Sequence, residues 1–162
     1  MGAGASTVTG SAALQPPTLK ERILEGKRRQ TKCRLLVLGL DNSGKTTIIG
    51  RLNPTTAKPG AAPLEVTPTV GFQQSEFSRG TVNFTVFDMS GQSRYRELWS
   101  HYYREAQGVI FVVDAGDRAR LCVAKDEVGE LLGHKDMAHK QTPFLFLANK
   151  SDLPDAMTVG RS

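Results

Sequence analysis

The sequence predicts an α/β fold: a mostly parallel sheet with helices on both faces and one antiparallel edge strand. Three observations carry this. Leu35–Leu38, Val109–Val113 and Phe144–Ala148 are short apolar runs without a charge, as in strands buried on both faces. Segments of helical spacing follow the first two runs. A Gly-rich turn, Gly39 to Thr46, joins the first run to its helix. At 162 residues the chain is one domain's worth. Its 39% hydrophobic and 23% charged residues fit a globular protein. No stretch approaches the ~18 apolar residues of a membrane-spanning helix, and collagen-like or wholly disordered readings are excluded.

In chain order, residues 1–17 hold Gly, Ala, Ser, Thr and Pro with little apolar bulk and no charge, and are expected to be disordered. Residues 18–32 form a basic, helix-like segment in which Thr18 and Glu21 have capping-box spacing. A neutral domain is expected over 33–162. After the strand at Leu35–Leu38, Thr46–Leu52 reads as a helix. Pro54, Pro59, Pro63 and Pro68 mark a loop. Phe72–Phe77 and Val82–Phe87 read as two strands around a turn at Ser78-Arg79-Gly80. Leu121, Val128, Leu131 and Leu132 give 117–132 helical spacing, and Phe144–Ala148 is the last strand.

The net charge of +5 is local. Residues 18–34 carry seven basic side chains against Glu21 and Glu25, which accounts for the whole excess. A nucleic-acid-binding domain would spread basic groups over a face interleaved with aromatics; that pattern is absent, and no nucleic-acid partner is expected. Cys33 and Cys122 are too few for a disulfide framework and are not spaced as metal ligands, so they read as reduced thiols of a cytoplasmic protein.

Three motifs carry chemistry. Gly39-Leu40-Asp41-Asn42-Ser43-Gly44-Lys45-Thr46 matches G-x-x-x-x-G-K-[ST] between a strand and a helix, where curled backbone and helix amides face a phosphate. Lys45 is expected to reach the terminal phosphates and the Thr46 hydroxyl to bind Mg²⁺. The expected fold is thus that of a P-loop NTPase. Asp88, at a strand's C-terminal end, is placed to hold Mg²⁺ through water, with Gly91 giving an amide to a γ-phosphate and Gln92 orienting the attacking water. Asn149-Lys150-Ser151-Asp152 follows the last strand. The Asp152 carboxylate can accept from the guanine N1–H and exocyclic amine, whereas adenine lacks that donor pair. The set favours GTP over the ATP of a P-loop ATPase or kinase.

Together these motifs resemble the small GTPases of the Ras superfamily. Gly39–Thr47, Pro68-Thr69-Val70-Gly71-Phe72 and Leu98-Trp99-Ser100-His101-Tyr102-Tyr103 are similar to its ADP-ribosylation-factor-like branch. Phe87–Gln92 and Val123-Ala124-Lys125 are similar to that branch's ciliary members. The resemblance spans 33–158 and implies a GTP/GDP switch. Thr47 joins the phosphate site; Thr69 is the switch I threonine that binds Mg²⁺ when γ-phosphate is present; residues 92–104 are switch II. Phe72, Phe87, Trp99 and Tyr102 match an apolar effector surface. Slow intrinsic hydrolysis is implied, on the order of 10⁻⁴–10⁻² s⁻¹, with an exchange factor, a GTPase-activating protein and a coat or adaptor effector as partners. A monomer at the cilium or basal body is expected. Met1-Gly2-Ala3-Gly4-Ala5-Ser6 fits an N-myristoylation acceptor at Gly2. One acyl chain binds membrane weakly, and the basic segment supplies a second signal toward an anionic surface. The family continues beyond Asp152 with a helix, a strand and a final helix. The last strand and helix are therefore expected to be missing here, and the alternative reading is a truncated form that binds nucleotide weakly and acts as an interaction decoy.

Overall fold

The computed structural model describes residues 31–57 and 66–158, with Thr18 and Lys20. The 1–17 leader with Gly2, and most of the basic segment, lie outside these residues. The order is β1 (Thr31–Leu38), α1 (Lys45–Leu52), β2 (Phe72–Arg79), β3 (Val82–Met89), a 3₁₀ turn (Ser93–Trp99) running into α2 (Ser100–Tyr103), β4 (Gly108–Asp114), a short 3₁₀ turn (Arg118–Arg120), α3 (Leu121–Gly133), α4 (Lys135–Ala138) and β5 (Phe144–Asn149). The five strands among the described residues are ordered β2-β3-β1-β4-β5. β1 lies parallel to β3 and β4, and β4 parallel to β5. Only β2 runs antiparallel, at the edge, returned by the hairpin whose Gly80 takes φ 61°. The expected architecture is present.

Alternation along the strands divides the core. Leu36, Leu38, Val109 and Phe111 pack with Met89, Trp99, Tyr103, Ala124, Leu131 and Met137, burying the face under α2, α3 and α4. Val37, Val86 and Val112 point the other way and meet Ile49 of α1. β1 begins at Thr31, ahead of its apolar run, because Thr31 and Lys32 pair with Val82 and Asn83. β3 extends through Asp88 to Met89, opposite Gln73 and Phe72. The expected 117–132 helix is divided: Asp117 caps the 3₁₀ turn by accepting from the Arg120 amide, and α3 starts at Leu121. On β5, Leu145 and Phe146 are about half exposed.

Parallel strands send their C-terminal ends to one edge. Gly39, Asp88, Asp114 and Asn149 therefore gather there, at the crevice where such sheets take ligands.

Candidate nucleotide site

The turn after β1 needs backbone that L-residues rarely adopt. Gly39, Asn42 and Gly44 have φ of 137°, 62° and 93°. A Cβ on Gly39 would strike the Val112 carbonyl, and one on Gly44 the Asn149 amide. Gly44 caps α1 without a side-chain hydrogen bond, and the first turn of α1 has no acidic residue. Its free amides thus face the cleft, ready for an anion. That cleft, about 820 Å³, is lined by the loop and α1 (Asp41, Asn42, Gly44 to Ile48, Arg51), by 66–69, by Ser90 to Gln92, and by Asn149, Lys150 and Asp152. The volume is ample for a nucleotide. Leu40 instead turns its side chain into the core.

Lys45 is buried and donates to the Gly39 and Leu40 carbonyls at 2.9 and 2.8 Å. An ammonium has three donors, so one stays open toward the cleft. Burial lowers the Lys45 pKa to about 8, against the opposing pull of Asp88 and Asp41. At neutral pH the ammonium form still dominates, and an anion set beside it favours that form further.

Three oxygen groups meet beyond Lys45. The Thr46 hydroxyl donates to Asp88 Oδ2 and lies 3.2 Å from Thr69 Oγ1. Burial raises the Asp88 pKa, opposed by the Thr46 hydrogen bond and by Lys45. Among the described residues Asp88 Oδ1 and Ser43 Oγ are buried without a hydrogen-bond partner, and the free carboxylate oxygen leaves this corner a polar partner short. Two hydroxyls and one carboxylate fit a hard cation that completes its shell with phosphate and water, as Mg²⁺ does. No cluster of three His, Cys, Asp or Glu exists among the described residues, so an all-protein cage is not what this edge offers.

Gly91 rests directly on the phosphate loop: a Cβ there would overlap the Asp41 nitrogen, the Leu40 carbonyl carbon and the Gly39 oxygen. Gly91→Ala is therefore expected to lift residues 90–92 off the loop. GTP affinity should fall about tenfold or more while GDP affinity changes little; equal affinities for the variant and the parent chain, measured with fluorescent nucleotides, would show that this contact is idle. Gln92 borders the cleft, with its side-chain oxygen accepting from Arg94 at 3.2 Å.

At the other end of the cleft, Asn149 donates to the Ser43 carbonyl at 2.8 Å. Lys150 has φ 61° and pairs with Asp114 at 2.7 Å. Asp152 is exposed at the cleft wall.

The four aromatics expected to form a surface divide. Phe72, Phe87 and Tyr102 form a triad with ring centroids 5.1 to 6.5 Å apart, and Phe72 is 44% exposed. Trp99 is a correction: it is 1% exposed, stacked edge-on against Phe111, with its indole N–H on the Ser90 carbonyl at 2.9 Å. A helical spacing of aromatics does not say which ring turns inward, and the indole N–H found a buried acceptor. Sequence reasoning also missed the partners of Asp41. Arg120 reaches its carboxylate at 2.9 Å across 79 positions, and Arg96 approaches it to 3.9 Å. Only the spatial fold could reveal these pairs.

Residues 20–161 match the model of the ADP-ribosylation factor family. ADP-ribosylation factor-like protein 6 of Danio rerio is 51% identical over 131 residues, which is 81% of this chain and 68% of that protein. The Caenorhabditis elegans protein of the same name is 44% identical over 77% of this chain and 64% of its own length. The chain thus spans about two thirds of the curated relatives it matches. The solved Arl6 BBS3 small GTPase from Trypanosoma brucei, with bound nucleotide analogue GppNp, superposes with a TM-score of 0.71 at 44% identity, covering 79% of this chain and 73% of its own. With the P-loop, the antiparallel edge hairpin and the family match over nearly the whole sequence, the chain belongs to the ADP-ribosylation factor family of small GTPases.

Proposed function

We propose that this chain is a GTP-binding molecular switch that hydrolyses GTP slowly and recruits a coat or adaptor to a membrane in ciliary or vesicle trafficking. The observation that carries it is the meeting of Thr46, Thr69 and Asp88. Thr69 comes from the loop before β2, so a ligand gripping it ties that loop to the phosphate site. Loss of the γ-phosphate then releases the loop, an order–disorder switch.

Thr46 and Thr69 would hold Mg²⁺ directly and Asp88 through water, and when bound the ion offsets charge on the β- and γ-phosphate oxygens. The chain's own groups do the rest. The loop amides of 39–47 and the open donor of Lys45 bind the phosphates, and the Gly91 amide meets the γ-phosphate. Gln92 orients a water for attack on the γ-phosphorus, the bond to the β–γ bridging oxygen breaks, and GDP and phosphate leave. Asn149, Lys150 and Asp152 hold the guanine. Phe72 follows the Thr69 loop and Tyr102 lies in the 92–104 segment, so the face these rings form with Phe87 draws on both switch segments.

Exchange and hydrolysis partners set the timing. Gly2 acylation together with the basic 18–34 segment supplies reversible attachment to an anionic membrane. Among the described residues no helix is long and apolar enough to cross a membrane.

The test is titration of fluorescent GDP and GTP into the chain with Mg²⁺, with ATP as competitor. Guanine-selective binding supports the switch; binding displaced equally by ATP, or no binding by folded protein, ends it. Gln92→Leu should slow single-turnover hydrolysis at least about tenfold at unchanged GTP affinity. A rate equal to the parent chain's would remove Gln92 from the mechanism.

A further inference from the structure

Gly91 has no side chain to anchor it, yet its peptide sits where a γ-phosphate must be read. An arginine takes its carbonyl. Arg96, in the 3₁₀ turn, donates from Nε to the Gly91 carbonyl at 2.9 Å and from one terminal nitrogen to Glu127 of α3 at 2.8 Å. Its other terminal nitrogen stands 3.9 Å from the Asp41 carboxylate in the phosphate loop. The Arg96 and Glu127 side chains are only 15% and 19% exposed, so water competes weakly for these bonds. On the other side of the same peptide, the Gln92 amide points to Ser90 Oγ at 3.4 Å. The Gly91–Gln92 peptide is therefore held on both sides, and its rotation is set by where the guanidinium is fixed.

We infer that Arg96 is a positioning residue that clasps the Gly91–Gln92 peptide to the phosphate loop and anchors it on Glu127 of α3. The inference rests on the GTP-switch reading above and adds how that switch is held closed. A planar fork is needed because three groups in different directions are engaged at once; an ammonium at that position reaches one. The clasp acts only when the 90–92 segment lies against the phosphate loop, so it favours the GTP-bound arrangement over the GDP-bound one. It also makes α3 part of the switch: whatever moves Glu127 loosens the peptide next to Gln92.

A merely structural ion pair makes a different statement. It would support the fold, and its loss would weaken GDP and GTP binding together. The experiment compares the full chain with Arg96→Ala, Arg96→Lys and Glu127→Gln, reading GDP affinity, GTP affinity and single-turnover hydrolysis in Mg²⁺. Expected for Arg96→Ala is about a tenfold fall in the GTP-to-GDP affinity ratio and a similar fall in hydrolysis, with GDP affinity within about twofold. Arg96→Lys keeps the charge beside Glu127 and should recover thermal stability but not the ratio. Glu127→Gln, which retains an acceptor without charge, should shift the ratio the same way by less. If the alanine variant does not fold, the other two carry the test. An unchanged ratio in Arg96→Lys and Glu127→Gln, or an equal loss for both nucleotides, overturns the clasp while leaving the switch standing. A parent chain that binds no guanine nucleotide overturns both.

Discussion

Asp152→Asn is expected to weaken GTP binding by about 10²-fold or more and to strengthen binding of xanthosine triphosphate. The carboxylate offers two acceptors to the N1–H and exocyclic amine of guanine. Charge-assisted hydrogen bonds of this kind contribute about 1.5–3 kcal/mol each, and ~1.4 kcal/mol is a factor of ten. Asparagine turns one acceptor into a donor that faces the amine. Xanthine carries an oxygen there and keeps N1–H, so the same amide pairs with it on both sides. The frame around Asp152 does not depend on its charge: Asn149 is fixed by the Ser43 carbonyl and Lys150 by Asp114. Asp152 itself is exposed, so the substitution should leave the fold intact. Competition of guanosine, xanthosine and adenosine triphosphates against a fluorescent nucleotide decides the matter. An unaltered order of preference would take the base-reading role away from Asp152.

How far this site was legible in the sequence varied with the distance over which each part is built. The phosphate loop is local: strand, glycines, Lys45, Thr46 and helix follow one another, and its positive-φ positions fall largely on glycine. Asp88 and Asn149 could be placed because each stands at or next to the end of its strand, and parallel strands deliver their ends to one edge. The edge hairpin was readable from the turn at Ser78–Gly80. What could not be read is side-chain direction in the segment 92–104, which has no strong apolar period. Four of its rings and arginines look alike in sequence. In space Trp99 goes under the sheet edge to Ser90, Tyr102 joins Phe72 and Phe87, Arg94 takes Gln92 and Arg96 takes Glu127. The pairing of the half-exposed Asp41 with arginines from two distant elements was equally hidden, because each partner is chosen by the fold and not by its neighbours in the chain.

Thr46→Asn should remove the Mg²⁺-dependent part of GTP binding, a loss of about 10²-fold in Mg²⁺ and little in its absence. The reason lies in how few groups this site has. Thr46 Oγ1 donates to Asp88 Oδ2 and stands 3.2 Å from Thr69 Oγ1, while Asp88 Oδ1 has no hydrogen-bond partner among the described residues. An asparagine amide would donate to that carboxylate and fill the space between the two strand ends. It would satisfy the orphan oxygen and block a cation in one move. On the proposed switch, in which the Thr69 loop engages with a γ-phosphate, GDP should suffer less than GTP. Thr46→Ser separates the two effects of the change. It returns the hydroxyl without the methyl, so Mg²⁺ dependence should recover to within a few-fold of the parent chain. If serine behaves like asparagine, the methyl packing of α1 and not the hydroxyl sets the affinity, and Thr46 loses its place among the metal-binding groups. If asparagine binds GTP as the parent chain does in Mg²⁺, the meeting of Thr46, Thr69 and Asp88 is a hydrogen-bonded corner of the fold, and the coupling between the loop before β2 and the phosphates must run through Gly91 alone.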